Sequence, residues 1–185
     1  PAFKKLKEDL LAKYNVDSVD DLPVNFRGIV AQYSEGRQAK VLNEFAETRM
    51  SEELEQAQIA RQFGWLSPTV AVRSISTILA GTSLETHHRF LREAETLRLE
   101  FVQALNKVHA EKLDYKLDMN RNASEEAADK AVVGADNWAI LAEFDFKPEA
   151  GSTRISNALI YFIQLLLWMG LTALLLQAAV RRLNP

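Results

Sequence analysis

The sequence predicts an all-α protein: an extracytoplasmic helical hairpin or bundle with long helices, followed by one C-terminal transmembrane helix. Three observations lead there. Residues 158–180 run for 23 positions without a formal charge. Upstream, apolar residues recur at helical spacing through long, heavily charged stretches. All 25 acidic residues fall at or before Glu149, and the only charges beyond it are Arg154, Arg181 and Arg182.

The first helix is marked by Phe3, Leu6, Leu10 and Tyr14 and ends near Asn15. Asp17 to Pro23 is an acidic break, and Pro23 suits the first turn of a second helix. Phe26, Val30, Tyr33, Val41, Phe45 and Ile59 carry that helix over 24–63. Phe63-Gly64-Trp65-Leu66-Ser67-Pro68 then reads as a stop, a cap and a new start, and Gly81 closes the short helix that follows. That helix, to Ala80, is either core or an amphipathic element at the membrane surface or packed on other membrane helices, with Trp65 at headgroup level.

Thr82 and Glu85 have the spacing of a capping box. Leu84, His88, Leu91, Leu105 and Val108 extend the next helix over 83–120, about 57 Å if unbroken. Helices 24–63 and 83–120 form an antiparallel hairpin or part of a bundle in this reading. Asn120 to Asp136 is a polar helix end and turn, and Trp138 to Pro148 an irregular return with Trp138, Phe144 and Phe146 packing down. Gly151-Ser152-Thr153 links into the span.

The span covers roughly 34 Å, enough for a ~30 Å hydrocarbon core with some tilt. Gln164 and Gln177 are its polar residues, and Gln164, with Gly170, is expected to pack on protein rather than lipid. Arg181 and Arg182 after the span, against one Arg before it, orient the C-terminus to the cytoplasm. The expected divisions are an extracytoplasmic domain over 1–154, a transmembrane helix over 155–182 and a cytoplasmic tail over 183–185.

Composition excludes several functions. Residues 1–154 hold 20 Lys and Arg against 25 acids, a formal charge of −5 that is wrong for a nucleic-acid partner. The absence of cysteine removes thiolate catalysis, disulfides and Cys-based metal sites. His87 and His88 point about 100° apart on a helix, and His109 lies 21 residues beyond His88. The histidines are therefore read as exposed or capping groups, with Glu85 and His88 as a surface pair. No nucleophile elbow, phosphate loop or dinucleotide turn occurs, so no catalytic residue, metal or cofactor is assigned.

Several short motifs occur in a fixed order: Leu22-Pro23-Val24-Asn25-Phe26-Arg27-Gly28, Phe63 to Pro68, Leu79-Ala80-Gly81-Thr82, His87-His88-Arg89-Phe90-Leu91, Asn106-Lys107-Val108-His109-Ala110-Glu111 and Phe144-Asp145-Phe146. Together they resemble the large extracytoplasmic insert of a group of bacterial type-2 ABC transporter permeases, an insert classed as a domain of unknown function. The resemblance covers nearly the whole chain, with Asn122 to Val133 the least similar part.

It implies a six-span permease subunit of the inner membrane, with residues 1–154 between the penultimate and last spans. The implied partners are the lipid bilayer, a second permease subunit (identical or homologous), cytoplasmic ATPase subunits that hydrolyse the ATP, and a periplasmic partner. The chain lacks the earlier spans and starts at Pro1, so it is expected to be a piece of a longer permease. The extracytoplasmic domain would gate, shape an exit path or dock a partner, through Trp65, Leu66, Ser67, Pro68, Gly81 and Thr82 at its membrane-proximal breaks. The alternative is a single-span membrane-anchored helical sensor or scaffold.

Overall fold

The computed structural model describes residues 2–140 and 143–183. Among these residues the protein is all-α: α1 (Ala2–Tyr14), α2 (Phe26–Gly64), α3 (Pro68–Ala80), α4 (Leu84–Lys112), α5 (Tyr115–Met119), α6 (Glu125–Lys130) and α7 (Gly151–Leu183), with 3-10 turns at Val19–Asp21 and Ala135–Ile140. Helix α7 is apolar and long enough to cross a membrane. Leu141 and Ala142, within the irregular return read from the sequence, and Asn184 and Pro185 of the expected tail lie outside the described residues. The chain divides into two compact units, residues 1–45 with 94–144 and residues 46–93 with 145–185. Helices α2 and α4 contribute to both.

In the first unit, α1 stops where the sequence signals it. Asn15 adopts a left-handed φ of 54°, and Val16 N–H donates to the Leu11 carbonyl at 3.1 Å. Asn25 opens α2: its Oδ1 accepts from Arg27 N–H at 2.9 Å, satisfying one of the free donors of the first turn. One turn of helix later, Gly28 lies against α4. A Cβ there would stand 2.4–2.8 Å from the backbone and Cβ of Ala110, so only glycine permits this approach. Farther along, Gln32 and Gln103 each donate a side-chain amide to the other's carbonyl, at 3.4 and 3.0 Å.

The fourth helix is shorter than the periodicity suggests. It ends at Lys112, and the helix expected over 83–120 is broken there. The cause is Asp114, which takes an extended backbone and accepts Leu117 N–H at 2.9 Å, starting α5 on its own cap. In the segment read as polar turn, Ser124 caps the short α6 in the same way.

In the second unit, α3 packs along α7. The positions read for its ends hold, although the Ser67 side chain makes no capping hydrogen bond. Ser67 is extended with Pro68 in the first turn, and Gly81 takes φ 71°. Thr82 N–H reaches back to the Thr77 carbonyl at 2.8 Å, closing the helix in a Schellman arrangement. The expected capping box is displaced by one residue: Ser83 Oγ accepts Thr86 N–H at 3.3 Å, while the Thr82 hydroxyl faces the Thr77 carbonyl at 3.4 Å. Gly151-Ser152-Thr153, expected as a linker, is the first turn of α7.

Only a narrow stripe of α7 is covered. Arg154, Ala158, Tyr161, Gln164, Leu165 and Trp168 are buried or partly so, and recur at the three- and four-residue spacing of one helix face. Every residue from Met169 to Leu183 is exposed.

The Gly28 contact yields a paired prediction. Gly28→Ala is expected to destabilise the first unit by about 1–3 kcal/mol, because backbone on both helices would have to move. Gly36→Ala in the same helix, whose Cβ would meet only Gln103 Nε2 at 3.5 Å, is expected to stabilise by about 0.5–1 kcal/mol. Amide hydrogen exchange in α2 checks both, and slower exchange in Gly28→Ala would refute the close approach.

Candidate functional site

The helix breaks that the sequence singled out form two places at opposite ends of α3, about 20 Å apart for its 13 residues. At the first, α2 stops at Gly64 and the chain turns back at once. A Cβ on Gly64 would come within 2.5 Å of Val70 Cγ1, so the glycine lets α3 fold tightly against the end of α2. The Gly64 carbonyl accepts Ser67 N–H at 2.9 Å within the turn, the Trp65 carbonyl has no backbone donor among the described residues, and α7 supplies a side-chain donor to each. Gln164 Nε2 donates to the Gly64 carbonyl at 2.9 Å, and Trp168 Nε1 to the Trp65 carbonyl at 3.1 Å. Gln164 is buried, whereas Leu66 is 77% exposed, with Phe63 and Trp65 also open.

At the second place Gly81 ends α3, and Arg154 near the start of α7 donates to the Leu79 carbonyl at 2.8 Å. Arg89 donates to the Lys147 carbonyl at 2.7 Å and covers the Phe146 ring at 4.7 Å, while Phe90 meets the same ring edge-on. Ser67 and Pro68 serve the helix start, and Gly170 faces open space with no atom within 4 Å of an added Cβ. The sequence singled out Gln164 but not Trp168 or Arg154 as its companions.

Two of the three histidines depart from the reading of exposed or capping groups. His88 is 1% exposed, and its Nε2 pairs with Glu53 at 2.8 Å. The expected Glu85–His88 pair does not form, because Glu85 binds Arg61 at 2.7 Å. Burial raises the Glu85 carboxyl, and its own backbone N–H, Arg61 and Ser83 more than offset this, leaving it below the ordinary value. His109 belongs to the first unit and pairs with Asp118 at 2.9 Å. No group of three metal-ligating side chains occurs among the described residues.

Asp118 gathers the polar groups of the first unit. It is fully buried; its Oδ2 accepts from Asn25 Nδ2 at 3.2 Å and from His109, and its Oδ1 faces Arg27 and Arg121, each at 3.6 Å. The break at Asp114 is what turns it inward, so sequence periodicity alone did not reveal it. Burial raises the Asp118 carboxyl, but the hydrogen bonds from His109 and Asn25 and the charges of His109 and Arg27 outweigh it, holding the group below its usual value. The first and fifth motifs of the sequence thus meet here, through Asn25, Gly28, His109 and Ala110.

Residues 1–147 match the family described as a domain of unknown function, DUF3526. The chain belongs to that family. No curated protein and no solved structure matches it. In this DUF3526 chain the matched residues contain both the Asp118 cluster and the α2–α3 turn, whereas α7 lies beyond the match.

Because the native Asp118 carboxyl is held below its unfolded value, its contribution is complete above the ordinary carboxylate range and is lost as pH falls through the lowered value. Asp118→Asn is expected to cost on the order of 1–3 kcal/mol at neutral pH. It should also flatten the acid dependence as pH falls through and below the ordinary carboxylate range. Hydrogen exchange at residues 25–29 measures both; exchange equal to the parent protein at neutral pH would show that the cluster does not stabilise α2.

Proposed function

We propose that this DUF3526 domain is the extracytoplasmic part of a bacterial type-2 ABC permease subunit, with α7 as its last span and the C-terminus cytoplasmic. In this reading the α2–α3 turn is sunk into the bilayer beside α7, where it gates or shapes an exit path. A second permease subunit and cytoplasmic ATPase subunits complete the transporter.

The observation that carries the reading is the bonding of Gly64 and Trp65 carbonyls to Gln164 and Trp168. Trp168 lies ten residues into the charge-free segment that begins at Ala158, about 15 Å along it and close to its middle. In water a helix end needs no such partners, because solvent completes the carbonyls. In hydrocarbon, irregular backbone is tolerated only where protein groups satisfy it. The flanking sequence fits that depth: residues 62–72 hold no charge, and Phe63, Leu66 and Val72 are exposed and apolar. The order of motifs shared with the permease insert supplies the transporter part of the reading.

Since the chain lacks cysteine, Leu66→Cys carries a single nitroxide label. In vesicles the label is expected to be more accessible to oxygen than to a water-soluble nickel chelate, with Lys40→Cys showing the reverse. A Leu66 label that meets the chelate as readily as Lys40 would overturn the sunken turn. The permease assignment is tested separately by purifying the complete encoded polypeptide in mild detergent. Further spans and a retained ATPase are expected; a reading frame that opens at Pro1 with no ATPase retained would refute it.

A further inference from the structure

Beside α3, in the second unit, a cavity of about 580 Å³ opens among Arg61, Val70, Arg73, Ser74, His87 and Tyr161, with further small and hydroxyl side chains between them. Its size is that of a ligand pocket. No acid lines it. Arg61 is already matched by Glu85 at 2.7 Å. Arg73 is different. It is the sole formal charge between Arg61 and Glu85 in the sequence, it is exposed, and among the described residues it makes no ion pair.

Its depth makes that lack of a partner informative. Arg73 is six residues from Leu79, where Arg154 binds the α3 end, and five from Pro68 at the turn. It therefore sits about 9 Å along α3 towards the turn from the Arg154 level. On the reading that α3 enters the bilayer, on which this step rests, Arg73 lies below the membrane surface and its guanidinium reaches up towards the headgroups. A cation there needs an anion, and a guanidinium matches a phosphate in geometry as well as charge.

We infer that this cavity holds the headgroup phosphate of an anionic phospholipid, with Arg73 as its charge partner. The Ser74 hydroxyl, the His87 ring and the Tyr161 phenol make no side-chain hydrogen bond among the described residues and stand ready as further donors. Val70 and Ile78 offer apolar wall to the upper part of an acyl chain. One unmatched positive charge suits one phosphodiester. A zwitterionic lipid would bring an ammonium group into a cavity with no acid on its walls.

The test is native mass spectrometry of the full chain released from vesicles of mixed phosphatidylglycerol and phosphatidylcholine. The parent protein is expected to retain phosphatidylglycerol in preference to phosphatidylcholine. Arg73→Gln should lower that retention about fivefold, the worth of one basic group near a lipid surface. Arg73→Lys should keep much of it, and Lys40→Gln should change nothing. Equal retention by Arg73→Gln and the parent protein would overturn the inference. So would retention of both lipids alike, or displacement of the lipid by excess inorganic phosphate, which would mark a site for a soluble anion. A Leu66 nitroxide in the Arg73→Gln background reports whether α3 keeps its depth. A lipid-exposed label with unchanged lipid retention removes this inference alone, whereas a water-exposed label removes the sunken turn beneath it.

Discussion

The second unit depends on one constraint: carbonyls freed where its helices end must find donors. A helix leaves its last four carbonyls without internal partners, and each of the two breaks flanking α3 exposes some of them. Three side chains of α7 donate to carbonyls at these breaks. Arg154 takes Leu79, Gln164 takes Gly64 and Trp168 takes Trp65. Successive positions on a helix advance by about 100°, so residues 154, 164 and 168 fall within an arc of about 80°. The covered stripe of α7 is the stripe that carries these donors. Small residues then let the helices close: Ala71 of α3 and Ala158 of α7 are both fully buried.

The first unit solves a related problem without apolar bulk. Its fully buried apolar residue types are alanines, and the largest side chains it buries completely are Asn25 and Asp118. A buried carboxylate is costly unless it is paired and hydrogen-bonded, and here Asn25 and His109 donate to Oδ2 while the Arg27 and Arg121 charges stand 3.6 Å from Oδ1. The close approach of Gly28 to Ala110 and the Asn25 N–H bond to the Ala110 carbonyl at 2.7 Å fix where those donors stand. Glycine, alanine and the polar cluster therefore act together: the small residues set the spacing, and the cluster selects one register of α2 on α4.

What could be read from sequence was local. Gly64, Ser67-Pro68 and Gly81 each carry their conformational consequence in their own chemistry, and α3 begins and ends where they say. Helix α7 announced itself by the length of an uncharged run. The break after Lys112 was hidden, since apolar periodicity continues past it and Asp114 has no glycine or proline beside it to mark a stop. The partners of the polar residues were hidden for another reason. His88 and Glu53 are 35 positions apart, Asn25 and Asp118 are 93, and Trp168 and Trp65 are 103. Nothing in a single sequence ranks such pairs, so a histidine that is buried and bonded looks like one that is exposed.

The distribution of cover along α7 carries the argument about its surroundings further than its hydropathy does. An apolar helix in the core of a water-soluble protein is enclosed along most of its length. Here the covered stripe stops at Trp168, and the fifteen residues from Met169 to Leu183 expose leucine, methionine and valine on all sides. Exposed apolar surface of that extent is a contact surface, for lipid, for other helices or for both. Two polar groups within the apolar part point the other way, while Gln177 near its far end is exposed. Gln164 is turned inward to a carbonyl, and the Thr172 hydroxyl donates to the carbonyls of Trp168 and Met169 at 3.0 Å, so neither is left to solvent. A helix whose carbon faces outward, and whose central polar groups Gln164, Trp168 and Thr172 bond within the protein, suits a surrounding that offers no hydrogen bonds. On the proposed reading, the turn bonded to its middle shares that surrounding.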